Sequence, residues 1–138
     1  MKNIDVQIIT PERRKYQGKA NSIIAPGFKG LFGILYMHAP MFNSLETGYV
    51  IIKGENEEKV TFSVSGGFLE VSENRVKILA DTAENTADID IERAQRARDR
   101  AKERLNNRTD KSISRSRAEI ALYKAINRIS AATKFGSR

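Results

Sequence analysis

Residues 68–79 have the sequence FLEVSENRVKIL, in which apolar and polar side chains alternate in two short runs. The runs, residues 68–71 and 75–79, flank the polar tripeptide SEN at residues 72–74. Alternation with a period of two is typical of a strand with one buried and one wet face, and a short polar link between two such runs is typical of a tight turn. The stretch therefore predicts an antiparallel β-hairpin.

The same signature continues on the N-terminal side of this hairpin. Residues 49–53 and 59–64 predict a second hairpin across a polar turn, and residues 4–9 and 20–25 predict further strands. Short strands separated by turns, without a helical pattern between them, indicate an antiparallel sandwich or barrel rather than a parallel sheet. We therefore expect a mainly β head.

The hydrophobic period changes after residue 81, where a helical pattern replaces the alternation. Asp88 and Asp90 are candidate N-caps for a first helix. Small or apolar side chains then recur at steps of three and four along one face, at Ile91, Ala94, Ala97, Ala101 and Leu105. After a polar break, a second helix is predicted at residues 117–132. Its stripe consists of Ala118, Ala121, Leu122, Ala125, Ile126 and Ile129.

The two helices and their short polar link predict a C-terminal helical hairpin. We place the β-sandwich head at residues 1–87 and the helical hairpin at residues 88–138. Because stripes made mostly of alanine bury little area, the hairpin should be marginally stable. Two interpretations stay open: a hairpin that moves, and a hairpin that docks permanently on the head.

The net charge of +7 is unevenly distributed along the chain. Residues 1–90 contain ten lysines and arginines against twelve aspartates and glutamates, whereas residues 91–138 contain fourteen against five. The head is therefore slightly acidic and the tail is strongly basic. A tail of this kind is suited to an anionic partner, such as nucleic acid, nucleotide phosphates or an acidic protein surface.

The composition narrows the chemistry of the chain. It has no cysteine and one histidine, His38, so we predict no disulfide and no zinc site, and a reducing cytoplasm as its compartment. We also see no apolar run long enough to cross a membrane and no signal-peptide core, so we predict no direct membrane insertion. A lone histidine without a paired serine or cysteine gives no nucleophile–base pair, so His38 is predicted to lie at a surface or an interface.

Three segments carry a resemblance to a known family. They are APGFKGLFGILYMHAP at residues 25–40, SGGFLEV at residues 65–71 and VKILADTAE at residues 76–84. In this order, and followed by two helices, they resemble the epsilon subunits of bacterial F-type ATP synthases over nearly the whole chain. One departure is visible, since the family usually has Pro-Gly or a similar small pair before the histidine, where this chain has Tyr36 and Met37.

The resemblance implies a non-catalytic rotor subunit whose head is a flattened sandwich of about ten strands. The head would clamp the gamma subunit and sit on the c-ring, coupling proton translocation to ATP synthesis at the cytoplasmic face of the cell membrane, as a peripheral protein. The tail would inhibit ATP hydrolysis by rising toward acidic surfaces of the catalytic alpha and beta subunits. The interface residues it implies are Gly30, Leu31, Gly33, Tyr36, Met37 and His38.

The resemblance also implies a regulatory nucleotide site, because IDIERA at residues 89–94 fits the pattern by which some bacterial epsilon subunits bind ATP. Arg93 and Arg100 share one helix face, and so do Lys124 and Arg128, so four cations could converge on a triphosphate. Lys124 replaces an arginine that strong binders tend to carry. No cofactor is required, and ATP would be a regulatory ligand. Its implied ligands are Glu84, Ile89, Asp90, Arg93, Ala94, Arg100, Lys124 and Arg128.

The same residues allow other interpretations. The arginines could simply solvate a helix. A nucleic-acid-binding module fits the basic tail, although Tyr123 and Phe135 are the tail's only aromatic residues and give no evident stacking platform. A β-barrel enzyme is disfavoured because nothing pairs Ser65, Glu70 or Asp81 with a base or a metal. The glycines at 27, 30 and 33 lack the Gly-Lys-Ser/Thr of a phosphate-binding loop.

Overall fold

The computed structural model describes residues 2–107 and 109–135. The chain forms two compact units that divide between Asn85 and Thr86, two residues before the boundary expected from the sequence. The first unit is built from strands and the second from helices.

The first unit contains ten strands in two five-stranded sheets. The first sheet has the order β2-β1-β9-β8-β5 and the second has the order β10-β7-β6-β3-β4. The strands are β1 (Ile4–Ile9), β2 (Arg14–Ala20), β3 (Ser22–Gly27), β4 (Gly30–Leu35), β5 (Met41–Ser44), β6 (Gly48–Lys53), β7 (Lys59–Val64), β8 (Gly67–Ser72), β9 (Arg75–Ala80) and β10 (Ala83–Asn85).

The two hairpins predicted from alternation are confirmed. Strands β8 and β9 pair in the expected register, with Phe68 opposite Leu79. Between them, Glu73 and Asn74 both have a positive φ, at 50° and 59°. Two successive left-handed residues form the type I′ turn that matches the twist of a two-residue hairpin. Strands β6 and β7 form the second hairpin.

The antiparallel sandwich is also confirmed, apart from one pair of strands. Strands β1 and β9 run parallel, with Val6 beside Val76 and Ile8 beside Ile78. A parallel pair needs a long connection because the chain must return to the same end of the sheet. Here strands β2 to β8 supply that connection, so the absence of a helical crossover did not exclude parallel pairing.

The core lies between the two sheets and is contained within the first unit. Alternate residues of β1, β8 and β9 point inward, and Val6, Ile8, Leu69 and Ile78 are fully buried. Tyr16 packs edge-to-face on Phe62. Burial, and secondarily the Glu58 carboxylate, raise the pKa of the Tyr16 phenol. A head with this much branched aliphatic burial has a core of its own.

Several strand assignments differ from the sequence analysis, in which β4 and β10 were not assigned as strands. The segment at residues 20–25 contains the end of β2 and the start of β3, and β3 continues through Pro26 to Gly27. Strand β2 was not predicted, because its sequence RKYQGKA lies at the edge of the sheet and is mostly polar. Strand β5 was not predicted either, because it has only four residues.

The second unit begins with a short 3-10 turn at Thr86–Asp88, followed by α1 (Ile91–Asn106) and α2 (Arg115–Phe135). Asp90 is the N-cap of α1, as predicted, and its Oδ1 accepts a hydrogen bond from the N–H of Arg93 at 3.1 Å. In the link, hydrogen bonds from the hydroxyl and then the backbone N–H of Ser112 lower the pKa of Asp110.

The helices form an antiparallel hairpin. Arg115, at the start of α2, donates from Nη1 to the carbonyl of Leu105 near the end of α1, at 3.0 Å. Helix α2 is longer than the predicted 117–132. The predicted stripes were wrong at three exposed positions, Ile91, Ala121 and Ile126. The buried positions are Ala94, Ala101, Ala118, Ala125, Ala131 and Ala132.

Candidate functional site

A stacked aromatic pair marks the outer face of the first sheet. Phe42 on β5 and Phe68 on β8 lie with ring centroids 5.3 Å apart and planes inclined by 22°. Leu79 on β9 is directly opposite Phe68 in the register. All three are exposed, Phe42 by 67%. We call these three residues the aromatic patch, and its exposure of large apolar side chains is typical of a protein-binding surface.

A second apolar surface follows the edge of the second sheet. Leu31 and Leu35 alternate with inward-facing residues of β4, and Phe28 lies in the turn between β3 and β4. Phe28 is 74% exposed and Leu31 is 72% exposed. We call these three residues the edge patch. Gly27 forms a bridge with Leu45, just after β5, so the two sheets meet at the end of the head where Phe28 lies.

The six predicted interface residues all lie on β4 or in the turn that follows it. Gly30, Leu31 and Gly33 are exposed on the strand. In the turn, the N–H of His38 donates to the carbonyl of Leu35 at 3.1 Å. Tyr36 and Met37 occupy the tip and are exposed, whereas His38 is half-buried. The Nδ1 of His38 donates to the carbonyl of its neighbour Ala39 at 2.6 Å.

The aromatic patch and Phe28 were not predicted from the sequence as contact residues. A signal was present, because Phe68 and Leu69 are adjacent, as are Ile78 and Leu79, although one of each pair must face outward in a strand. A strand with large apolar residues on both faces buries only one of these faces in the core of its own domain. The outward members are therefore candidates for contact with another chain.

The predicted nucleotide ligands on the helices gather on one face of the second unit. Arg93 and Arg100 each precede a buried alanine of α1 by one residue, and Lys124 precedes buried Ala125 of α2. The helices are antiparallel and their alanine faces meet, so the position before each alanine lies on the same side of the hairpin in both helices. Arg128 lies one turn beyond Lys124 on that side.

The remaining predicted ligands have structural roles or lie elsewhere in the chain. Ile89 and Ala94 are buried, and Asp90 caps α1. Glu84 belongs to the first unit, where it lies half-buried in β10 opposite Ser63. The second unit by itself therefore brings four cations to one face and supplies Asp90 at the start of α1. Guanidinium groups in such an array suit a phosphate or carboxylate partner.

A depression of about 740 Å³ lies on the outer face of the first sheet. Its lining is polar and of mixed charge, including Asp5, Lys19, Glu70 and Lys77, and it contains none of the predicted site residues. Among the described residues, no cluster of histidine, cysteine, aspartate or glutamate could hold a metal ion. In the same part of the chain, no helix combines the length and apolarity needed to cross a membrane.

Comparison with protein families accounts for the chain from the head to the second helix. The beta-sandwich domain of the ATP synthase Delta/Epsilon chain matches residues 3–86, and the long alpha-helix domain of the same chain matches residues 87–133. The chain belongs to the delta/epsilon chain family of ATP synthase. The resemblance to epsilon subunits of bacterial F-type ATP synthases is therefore confirmed.

Relatives of this family member agree over nearly their whole length. The ATP synthase epsilon chain of Moorella thermoacetica is 44% identical over 132 residues, which are 96% of this chain and 98% of that one. The ATP synthase epsilon chain of Desulforamulus reducens is 44% identical over 127 residues, or 92% and 95%. As an epsilon chain of this family, the protein is a non-catalytic subunit of the complex that couples proton transport to ATP synthesis. These comparisons do not support a nucleic-acid-binding module.

Solved structures agree on the fold. A chain in the Euglena gracilis mitochondrial ATP synthase, in an assembly of OSCP, F1 and c-ring, has a TM-score of 0.80 at 24% identity, covering 96% of this chain and 82% of that chain. A chain of the Tetrahymena thermophila mitochondrial ATP synthase, from its central stalk and c-ring, has a TM-score of 0.54 at 16% identity, covering 99% and 98%. Both combine with the family assignment to support a sandwich followed by helices.

Proposed function

We propose that the head of this family member joins the gamma subunit to the c-ring and transmits torque between them. The observation that carries this proposal is the pair of apolar surfaces on a head that already has its own core. The aromatic patch and the edge patch expose six large apolar side chains. Exposed apolar area of this kind is stabilised by contact with another protein.

The apolar patches and the turn after β4 suit different partners. Gamma, as the proposed partner of the apolar patches, would bury the aromatic pair and Leu31. The polar loops of the c-ring would meet the turn that contains Tyr36, Met37 and His38. A head held on two sides turns with both partners, which requires a rigid core and no catalytic group. The chain would then be a peripheral protein at the cytoplasmic face of the cell membrane.

The helical unit is the proposed brake on ATP hydrolysis. The buried positions of α1 and α2 are alanines, which bury much less area than leucine or isoleucine would. Separating α1 from α2 therefore costs little, and an extended form could reach acidic surfaces of the alpha and beta subunits with its basic side chains. A permanently docked hairpin is the alternative that the following experiment tests.

A chain that ends at residue 87 is expected to raise ATP hydrolysis by the reconstituted complex several-fold. The head keeps all of its core residues, so the complex should still assemble and synthesise ATP. Hydrolysis is measured by the release of phosphate from membranes carrying either the full-length or the shortened chain. Equal hydrolysis rates in the two preparations would contradict the brake and favour a docked hairpin.

ATP is the proposed ligand of the cationic face on the helical unit. Positive charge for three phosphates comes from Arg93 and Arg100 on α1 and from Lys124 and Arg128 on α2, and Asp90 lies at the start of α1. A ligand that bridges the two helices stabilises the closed hairpin over the extended one, because it binds only where both helices contribute. Bound ATP would thus hold the brake off.

The substitution Arg93→Ala is expected to weaken ATP binding to the isolated chain by about tenfold or more, because a hydrogen bond to a charged group contributes about 1.5–3 kcal/mol. The backbone N–H of residue 93 remains, so the N-cap bond to Asp90 is kept. Titration calorimetry measures the affinity of the wild-type and substituted chains.

The matched control is Lys102→Ala. Lys102 follows buried Ala101 instead of preceding it, so it lies on the opposite side of the hairpin, and its loss removes one positive charge from the same helix. We expect this variant to bind ATP as the wild type does. If both substitutions weakened ATP binding equally, the effect would come from the net charge of the helix and not from a site at Arg93. If the wild-type chain bound no ATP at millimolar concentration, the nucleotide site would be excluded.

A further inference from the structure

We propose that Asn74 is a positioning residue, whose side chain holds the turn at residues 35–38 in shape from the neighbouring β8–β9 hairpin. Asn74 would stabilise the turn conformation of Tyr36 and Met37, which the pair Pro-Gly favours by its own backbone preference. The consequence for assembly rests on the proposed function of this turn, whereas the effect on the turn itself does not.

The turn has the geometry of a type II turn with unfavourable residues in it. The N–H of His38 donates to the carbonyl of Leu35, and among the four residues of this fully described turn only Met37 has a positive φ, at 68°. Type II turns favour proline at the second position and glycine at the third. Tyrosine does not fix the backbone, and a methionine in the left-handed region is strained by its Cβ.

Two contacts from Asn74 reach the strained residue. The N–H of Met37 donates to Oδ1 of Asn74 at 2.7 Å, and Nδ2 of Asn74 lies 3.6 Å from Sδ of Met37. The first is a short, ordinary hydrogen bond, and the second is a weak contact that places the methionine side chain. Asn74 and Met37 are 37 residues apart in the chain, so the contact joins two separate turns.

Asparagine suits this position for two independent reasons. It is itself left-handed, with a φ of 59°, and asparagine tolerates that region better than most residues. Its amide accepts a hydrogen bond at Oδ1 and donates one from Nδ2, whereas an ionised aspartate can only accept. The type I′ turn of the hairpin therefore presents a side chain that the strained turn needs.

Along the chain, the held turn lies between the two apolar surfaces. It begins at Leu35 of the edge patch and precedes β5, which carries Phe42 of the aromatic patch. Met37 is itself 72% exposed at the tip. By fixing the path of the chain between these strands, Asn74 sets how Leu35 and Met37 are presented to a partner.

The test is amide hydrogen exchange at residue 37 in the full chain, measured by NMR. Asn74→Gly keeps the left-handed backbone of the hairpin turn but removes both side-chain contacts, so we expect the protection of the Met37 amide to fall by about tenfold. Asn74→Asp keeps the acceptor and should retain most of the protection. Glu73→Gly changes the adjacent left-handed residue and should leave the Met37 amide as it is.

If Asn74 serves only its own hairpin, Asn74→Gly leaves the Met37 amide unchanged, and that result would overturn the proposal. Loss of protection in Glu73→Gly equal to that in Asn74→Gly would overturn it as well. The combination Tyr36→Pro with Met37→Gly restores the preferred turn residues. In that background we expect the further change Asn74→Gly to have no effect on the amide of residue 37.

A second measurement separates this inference from the proposed function. Binding of the Asn74→Gly chain to gamma and c-ring is expected to weaken, and the Tyr36→Pro, Met37→Gly background should restore it. Lower protection of the Met37 amide, together with binding that is weaker and is restored in this background, supports both the positioning role of Asn74 and the proposed function of the turn. Lower protection with unchanged binding supports the positioning role and removes this turn from the rotor interface.

Discussion

A chain with Gly67→Ala is expected to lose more than about 3 kcal/mol of the free energy of unfolding. Gly67 has a φ of 111°, a conformation that residues with a Cβ rarely adopt. A Cβ at this position would lie 2.0 Å from the carbonyl oxygen of Leu79 and 2.8 Å from Cα of Ala80. Both are backbone atoms of the paired strand, so the overlap is relieved only by separating β8 from β9.

The measurement is denaturant unfolding of the purified chain, and Gly30→Ala is the control. Gly30 has nearly the same φ, 112°, but a Cβ there would meet nothing within 4 Å. We expect it to cost about 1–2 kcal/mol, from the backbone conformation alone. Equal losses in the two variants would contradict the argument, because the steric overlap at Gly67 would then contribute nothing.

A chain with Phe42→Asp is expected to bind its rotor partner about 100-fold more weakly than the wild type does. Phe42 is exposed and stacks on Phe68, so it is suited to be an aromatic anchor in a buried interface. Aspartate removes that apolar area and leaves a charge without a partner in the contact. The affinity for purified gamma is measured by calorimetry, and far-UV circular dichroism checks that the head still folds.

Gln17→Asp is the matched control for this substitution. Gln17 lies on β2, at the opposite edge of the same sheet from β5, and is also exposed. The variant therefore gains the same charge on the same sheet but away from the aromatic patch. If Gln17→Asp weakened binding as much as Phe42→Asp, the effect would be one of overall charge and the aromatic patch would not be the contact.

The parts of the fold that local chemistry determines were predictable from the sequence. Alternation predicted the β8–β9 and β6–β7 hairpins, and Asp90, which caps α1, was one of the two candidate N-caps. The parallel pairing of β1 with β9 was not predictable in this way, because it joins residues about 70 positions apart and depends on the whole head. Strand β2 was missed because its polar edge sequence lacks the alternation of a half-buried strand.

The candidate sites show the same difference between features that local sequence determines and features that depend on the tertiary fold. Helical spacing was enough to put Arg93 beside Arg100 on α1, because one element carries both. The stripe of small and apolar residues on α1 correctly predicted that Ala94 and Ala101 are buried, but it did not predict that Ile91 is exposed. Burial at the end of a helix depends on which other residues surround that end. The contact of Asn74 with Met37 joins two turns that nothing in the local sequence relates.

The parallel pairing of β1 with β9 also has a kinetic consequence. Strand β1 is an interior strand of its sheet, with β2 on one side and β9 on the other. Strand β9 is synthesised only when the ribosome has reached residue 80. Until then β1 can pair with β2 alone, and one of its edges stays open. We therefore expect the head to fold late and in one step, with its first strand dependent on its ninth.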